Sequence, residues 1–240
     1  MKGMVKIIIA GVIIVVIGAA ILITALALSG WNLKGIEFET QTFTAEGENT
    51  ALKVDISAGT LVTQYYDGDK VVIEYPVAKN YNAEITERGG CVNYKTKIKW
   101  HVSWFVKNYP QTVIKLPAST AFKVDIEMSA GTVEIADGKY SDVKIEMSAG
   151  TFKANAIECS KLDCDLSAGT VHVSKVTADT TKIDVSAGTA KLGFTGEQSE
   201  YGISTSVSAG TCNVSGHQGS THKTIDVDVS AGTVNLSFNV

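Results

Sequence analysis

Two residues before each of seven Ser-Ala-Gly-Thr tetrapeptides stands a short polar side chain: Asp55, Glu127, Glu146, Asp165, Asp184, Ser206 and Asp228. Carboxylates recurring at one position invite a hard cation such as calcium, or a cationic partner. Held at strand spacing, each neighbouring pair repels by ~0.9 kcal/mol even in bulk water. Calcium asks for about six to eight oxygen ligands, which flat strands rarely supply. Four residues before each serine come Lys53, Asp125, Lys144, Asp163, Lys182, Ser204 and Asp226, and the lysines among them offset part of the acid. A solvated acidic face is the simpler reading, and neither a metal site nor a cofactor is expected.

Basic chemistry gathers at Lys95, Lys97, Lys99 and His101, which alternate along one stretch. On one strand face they can meet an anionic cell-wall polymer or lipid headgroups, each basic residue near an anionic membrane contributing about 1 kcal/mol. Lysines so placed also discourage edge-to-edge strand pairing. Both readings stand for this ligand-binding candidate.

Nucleophiles do not converge. Cys164 and Cys212 fall at apolar positions, which suggests buried thiols, while Cys91 and Cys159 are the more exposed candidates. The cysteine count allows several pairings or none. His172 follows a corner alone, and His217 and His222 share a loop with no third ligand at zinc spacing. The recurring serines have no histidine at a matching position in each repeat, which removes a hydrolase of the serine–histidine type.

The element that must carry all these residues is the repeat. Its seven corners begin at Ser57, Ser129, Ser148, Ser167, Ser186, Ser208 and Ser230, and the last six starts are 19, 19, 19, 22 and 22 residues apart. Five, three and one residues before the serine the chain is mostly apolar, as in Val143, Ile145 and Met147, and four and six after it the pattern resumes, as in Phe152 and Ala154. Period-two alternation is the mark of a strand with one buried face. Each unit therefore reads strand, tight bend, strand, return loop, with alanine small enough for the inside of the bend and glycine tolerating unusual backbone angles. No single unit can bury its apolar face, so the units stack. Like residues at like positions favour an all-β, parallel β-solenoid, right-handed and β-helix-like, of about seven coils in chain order. An antiparallel meander is the rival, and it would not place like positions in columns.

Residues 61–117 depart from the pattern. Val92, Tyr94, Thr96 and Ile98 alternate with Asn93, Lys95 and Lys97, predicting a β cap over the first coil. The longer 22-residue spacings put extra residues into 193–202 and 215–224, along one edge of the stack. At the other extreme Val234, Leu236, Phe238 and Val240 alternate with polar residues and the sequence stops, predicting an open last coil able to self-associate by strand addition.

Ile7 to Ser29 carries no charge over 23 residues. At ~1.5 Å per residue a helix there reaches ~34 Å, enough to span a bilayer. Ala25-Leu26-Ala27 resembles a signal-peptidase site, but the apolar run is longer than a secretory signal needs, which favours a retained anchor. Lys2 and Lys6 precede it, so the expected orientation is cytoplasmic N-terminus and extracytoplasmic remainder, a single-pass cell-membrane protein. Beyond those two lysines the chain holds 25 acidic against 19 basic residues, which argues against a nucleic-acid binder. The organisation expected is a tail at 1–6, a transmembrane anchor at 7–29, a linker at 30–35, the first coil with its β cap at 36–128, and regular repeats at 129–240.

The stretch TVIKLPASTAFKVDIEMSAGTVEIADG (112–138) resembles the bacterial putative-adhesin β-strand repeat family, also described as toast-rack domains. That family repeats a serine-x-glycine corner between short apolar strands, after an opening strand pair and a proline-bearing lead-in. Leu116-Pro117 and every Ser-Ala-Gly here match, across roughly residues 36–240. Threonine follows each glycine, where relatives often carry an acidic residue. The resemblance implies a β-helix-like fold at the cell surface and brings no catalytic residues with it. Related domains occur on membrane proteins tied to envelope-stress signalling in Gram-positive bacteria. The expectation is a non-enzymatic, membrane-anchored binding or scaffolding module of adhesin type, with no nucleic-acid partner. Its partners would be membrane lipid through the anchor, cell-wall polymer or another membrane protein, and a second copy at the open coil. The alternatives are an accessory or sensory component of an envelope-stress response and, less favoured, a polysaccharide-active β-helix enzyme.

Overall fold

The computed structural model describes residues 38–78, 81–98, 111–219 and 222–240. The sequence-predicted tail, anchor and linker lie outside these residues. Among the described residues no helix is long and apolar enough to cross a membrane.

The chain is all-β. Its strands are β1 (Glu39–Thr44), β2 (Ala51–Ile56), β3 (Thr60–Tyr66), β4 (Val72–Val77), β5 (Tyr81–Arg88) and β6 (Cys91–Ile98). They continue with β7 (Gln111–Pro117), β8 (Phe122–Met128), β9 (Thr132–Glu134), β10 (Gly138–Met147), β11 (Thr151–Leu166) and β12 (Thr170–Val185). The last are β13 (Thr189–Phe194), β14 (Gly202–Val207), β15 (Thr211–Cys212), β16 (Thr224–Val229) and β17 (Thr233–Phe238). Each Ser-Ala-Gly corner separates a leading strand from a trailing strand. The long strands β11 and β12 trail one corner and lead the next.

Like positions do form columns. Val143 stands beside Val124 and Leu162, and Ile145 beside Ile126 and Cys164, in parallel register. All of these are buried, as are the trailing Val133, Phe152, Val171 and Ala190. Alternation in the sequence thus becomes one shared dry interior. Burying a valine or leucine side chain is worth roughly 1.5–3 kcal/mol, so the aligned columns are what hold the stack.

The corners show why glycine recurs. A β-carbon on Gly131 would lie 2.1 Å from the Gly59 carbonyl oxygen, one on Gly150 2.4 Å from that of Gly131, and one on Gly188 2.6 Å from that of Gly169. Only the first three corner glycines, Gly59, Gly131 and Gly150, have positive φ. Close approach of coil to coil is the more general reason, with backbone angle secondary. Corner amides are spent between coils: Ser148 N–H donates to Met128 O, Ala149 N–H to Ser129 O and Thr151 N–H to Gly131 O, and the pattern recurs upward. The corner alanines, except the partly covered Ala58, are exposed, so smallness inside the bend does not explain them.

Coil order differs from chain order at the C-terminal end. β16 lies between β12 and β14, and β17 between β13 and β15. The coil with corner Ser230 is therefore inserted beneath the coil with corner Ser208, which forms the end of the stack. Ile225, Val227 and Val229 of the inserted coil are fully buried, whereas Thr205 is half-buried and Val207 is 44% exposed in the outer one. The more apolar coil goes inside and the more polar coil outside, which is the burial-favoured order. The 22-residue spacings give the chain the length to pass over a rung and return.

The other end follows a related plan. β2 lies between β6 and β8, and β3 between β7 and β9, so the first corner is also interior. The antiparallel pairs β5–β6, β4–β7 and β1–β4 close over it.

Candidate functional site

The leading strands carry the acidic residues outward. In spatial order the column two before the corner runs Asp55, Glu127, Glu146, Asp165, Asp184, Asp228 and Ser206, each in register with the next. A shallow groove of about 350 Å³ follows it, lined by Asp55, Glu127, Glu146 and Asp165 with Ser129 and Ser148. The parallel column four before the corner runs Lys53, Asp125, Lys144, Asp163, Lys182, Asp226 and Ser204. Charge sign alternates at every step of that second column until the serine. In chain order Ser204 breaks the alternation, and the exchange of the last two coils restores it.

The lysines tie the two columns together. Lys53 Nζ donates to Glu127 at 2.7 Å and lies 3.5 Å from Asp125. Lys182 donates to Asp184 at 2.6 Å, Lys161 lies 3.2 Å from Asp163, and Lys144 pairs with Glu146. Hydrogen bonding to Glu127 raises the Lys53 pKa, and bonding to Glu146 and Asp184 does the same for Lys144 and Lys182. These pairs are exposed or half-exposed, so solvent screens them and each contributes little to stability. The arrangement is a self-compensated acidic face. Among the described residues no group of three or more histidine, cysteine or carboxylate side chains is placed to hold a metal ion.

The sequence-predicted basic site fares differently. Tyr94 and Thr96 of β6 are buried and Lys95 and Lys97 exposed, but both lysines have carboxylate partners. Lys95 pairs with Asp55 across the β2–β6 register and caps the acidic column, and Lys97 pairs with Glu84 on β5. Lys99 and His101 lie outside the described residues. What β6 shows is internal charge pairing, of cap to coil at Lys95 and within the cap at Lys97.

The open C-terminal coil expected for self-association is not found. Val234 and Leu236 are buried, Phe238 is half-buried against Phe194 and Tyr201, and only Val240, at 47%, is substantially exposed. β13 lies on one side of β17 and β15 covers its start on the other. Beyond β15 the Asn213 side chain takes over: its Nδ2 donates to Leu236 O at 2.8 Å and its Oδ1 accepts from Leu236 N–H at 2.7 Å. One amide thus reproduces a rung of sheet ladder. The sequence signal for this capping was the run Ser204, Thr205, Ser206, the one repeat with polar residues at all three positions.

The trailing strands hold a feature that residue-by-residue reading missed. Five after the corner, Lys153, His172 and Lys191 stand side by side in register, with Glu134 before them and Asn235 after. All three basic side chains are exposed. His172, isolated in the sequence, has a lysine neighbour on each side in space.

The cysteines are free. Cys164 and Cys159 are buried, the latter against expectation, while Cys91 and Cys212 are half-buried. Burial pushes the Cys159 thiol up to about 12 and that of Cys164 higher still, so neither is a thiolate nucleophile near neutrality.

Several solved structures match the chain at low similarity. A "putative cell adhesion protein" from Clostridium sporogenes is 11% identical, with a TM-score of 0.45 over 84% of this chain and 100% of that one. A "putative adhesin" from Parabacteroides distasonis is 12% identical, with a TM-score of 0.42 over 84% and 98%. A "putative lipid binding protein" from the same organism is 14% identical, with a TM-score of 0.39 over 84% and 96%. No curated protein matches the chain. The family model described as Toastrack DUF4097 matches residues 49–239, covering every corner and both charged faces, and the chain belongs to that family.

Proposed function

We propose that this chain is a non-enzymatic binding or scaffolding module, displayed outside the cell and held to the membrane by residues 7–29. The observation that carries the reading is the pair of charged outer faces on a stack whose corner amides are committed from coil to coil. Such a frame presents side chains at fixed spacing along a line, which suits recognition of an extended or repetitive partner. Among the described residues its acids and lysines pair with one another along the columns, which supports the non-enzymatic reading. The uncharged run of 23 residues supports the anchor, and the lysines before it support the orientation.

The test is retention of the full-length chain, in nonionic detergent, by isolated bacterial cell walls. Retention that falls as salt rises is expected. Absence of retention, with co-purification of another membrane protein instead, would replace adhesion with an accessory role in an envelope assembly. Turnover on a glycan panel, lost on changing one carboxylate of the acidic column, would overturn the non-enzymatic reading.

A further inference from the structure

We propose that Lys153, His172 and Lys191 form a binding column for phosphate groups of an extended anion, on the trailing face. The inference rests on the reading of the chain as a binding module and names the ligand chemistry of one of its surfaces. Three observations carry it. The residues occupy consecutive rungs, so at about 4.8 Å per rung they place basic groups along a line of roughly 10 Å. Among the described residues neither Lys153 nor Lys191 is ion-paired, whereas the leading-face lysines Lys53, Lys144, Lys161 and Lys182 and the cap lysines Lys95 and Lys97 all are. The flanking columns are neutral hydrogen-bonding groups: Thr151, Thr170 and Thr189 on the corner side, and Asn155 and Ser174 on the other. Ser174 Oγ lies 3.5 Å from His172 Nε2.

Charged neighbours do not cancel the column. Glu134 meets Lys153 in register at one end only. Asp137 accepts from the Asn155 and Ala156 amides at 3.1 and 3.0 Å and lies 3.5 Å from Asn155 Nδ2, so its carboxylate stands beside the Asn155 flank, at the Lys153 end of the column. Lys175, also exposed and without an ion pair among the described residues, adds positive charge on the same strand as His172. At physiological salt, screening acts over about 8 Å, so the acidic face on the leading strands does little to this one. Lysine and histidine set against hydroxyls suit the oxygens of phosphate better than a flat apolar ligand.

The experiment titrates the full-length chain, in nonionic detergent, with inorganic polyphosphate, and separately with phosphatidylglycerol mixed into the micelle. Wild type is compared with K153Q/K191Q and with K95Q/K97Q. Because it removes two basic residues that face an anionic surface, K153Q/K191Q is expected to weaken binding by about thirtyfold and to flatten its salt dependence. K95Q/K97Q is expected to leave it within about twofold, because those charges are already paired. Loss with polyphosphate alone assigns the column to a phosphate polymer, and loss with the lipid assigns it to headgroups. Unchanged affinity of K153Q/K191Q for both probes, or no binding by wild type, overturns the proposal. Cell-wall retention that survives such a result leaves the module reading intact and moves its ligand elsewhere.

Discussion

The leading and trailing faces are built on the same coils, share one interior and turn about the same glycines, yet their charge plans differ. On the leading face acids and lysines interlock, so that Lys53, Lys144 and Lys182 each bond a carboxylate of the neighbouring column. On the trailing face Lys153 and Lys191 project without such partners among the described residues. A repeat fixes where side chains point but leaves their identity free on each face. Internal compensation makes one face a stable wall, and its absence leaves the other with charge to offer a ligand.

The comparison breaks most completely at the corner, since both faces hang from it. Gly150→Ala places a methyl group 2.4 Å from the Gly131 carbonyl oxygen at φ +126. Neither strain nor overpacking can be relieved without separating two coils, so a loss of about 3 kcal/mol or more is expected. Urea unfolding measures it, and hydrogen exchange should show leading and trailing strands losing protection together. Loss confined to one face would mean the faces are not mechanically joined at the glycines.

Charge reversal tests the faces against each other directly. Lys144 stands in register between Asp125 and Asp163 and bonds Glu146. Lys144→Glu sets a carboxylate among three others and should cost about 2 kcal/mol at low salt, shrinking as ionic strength rises. Lys191→Glu, on the trailing face between His172 and Asn235, should cost within about 0.5 kcal/mol, as surface changes usually do. Equal costs would erase the distinction between a compensated and an uncompensated face.

Much of this was legible because a strand's period of two is written in the residues themselves. The buried columns at Val143, Ile145 and Met147, and the outward lysines of β6, follow from alternation alone. Spatial order was less legible. Chain order suggested that Val234 and Leu236 ended the stack, because nothing local says that one coil passes over another. The information lay in a comparison between repeats: Thr205 against Val227, and two spacings long enough for the detour. His172 was missed for the same reason. Its meaning depends on neighbours 19 residues away in either direction, Lys153 and Lys191, which only the register brings beside it. Lys95 and Lys97 show the converse, since their carboxylate partners Asp55 and Glu84 are brought beside them by the fold and not by the sequence.

The shared interior contains one local conflict that sharpens the contrast between inside and outside. Thr181 occupies the apolar column between Leu162 and Ile225, is 1% exposed, and its hydroxyl has no hydrogen-bond partner among the described residues. Thr181→Val keeps the shape and removes the unpartnered oxygen. It is expected to stabilise the chain by about 1 kcal/mol, read from the urea midpoint at unchanged slope. A loss instead would place a bound water or a missed partner at that hydroxyl.

The smallest effect separates ion pairing on the faces from anion binding in the cap. The Glu87 carboxylate accepts from Asn49 Nδ2 and from the Glu46 and Gly47 amides, all at 2.8 Å. These bonds, the one from Asn49 foremost, hold its pKa below the ordinary carboxylate value. A carboxyl depressed in the folded state contributes fully above its unfolded pKa of about 4.3, and the contribution disappears as pH falls through the lower folded value. Acidification below about pH 4 should therefore loosen the segment from Glu46 to Asn49 while the coil interior, held by apolar burial, stays closed. Exchange of the Glu46 and Gly47 amides should exceed the intrinsic acid-pH trend, whereas that of Ile145 and Leu162 should follow it. The variant Glu87→Gln should show the loosened segment already at neutral pH, without further response to acid. If wild type and variant respond alike, the carboxylate does not anchor this loop, and the cap is closed by strand pairing alone.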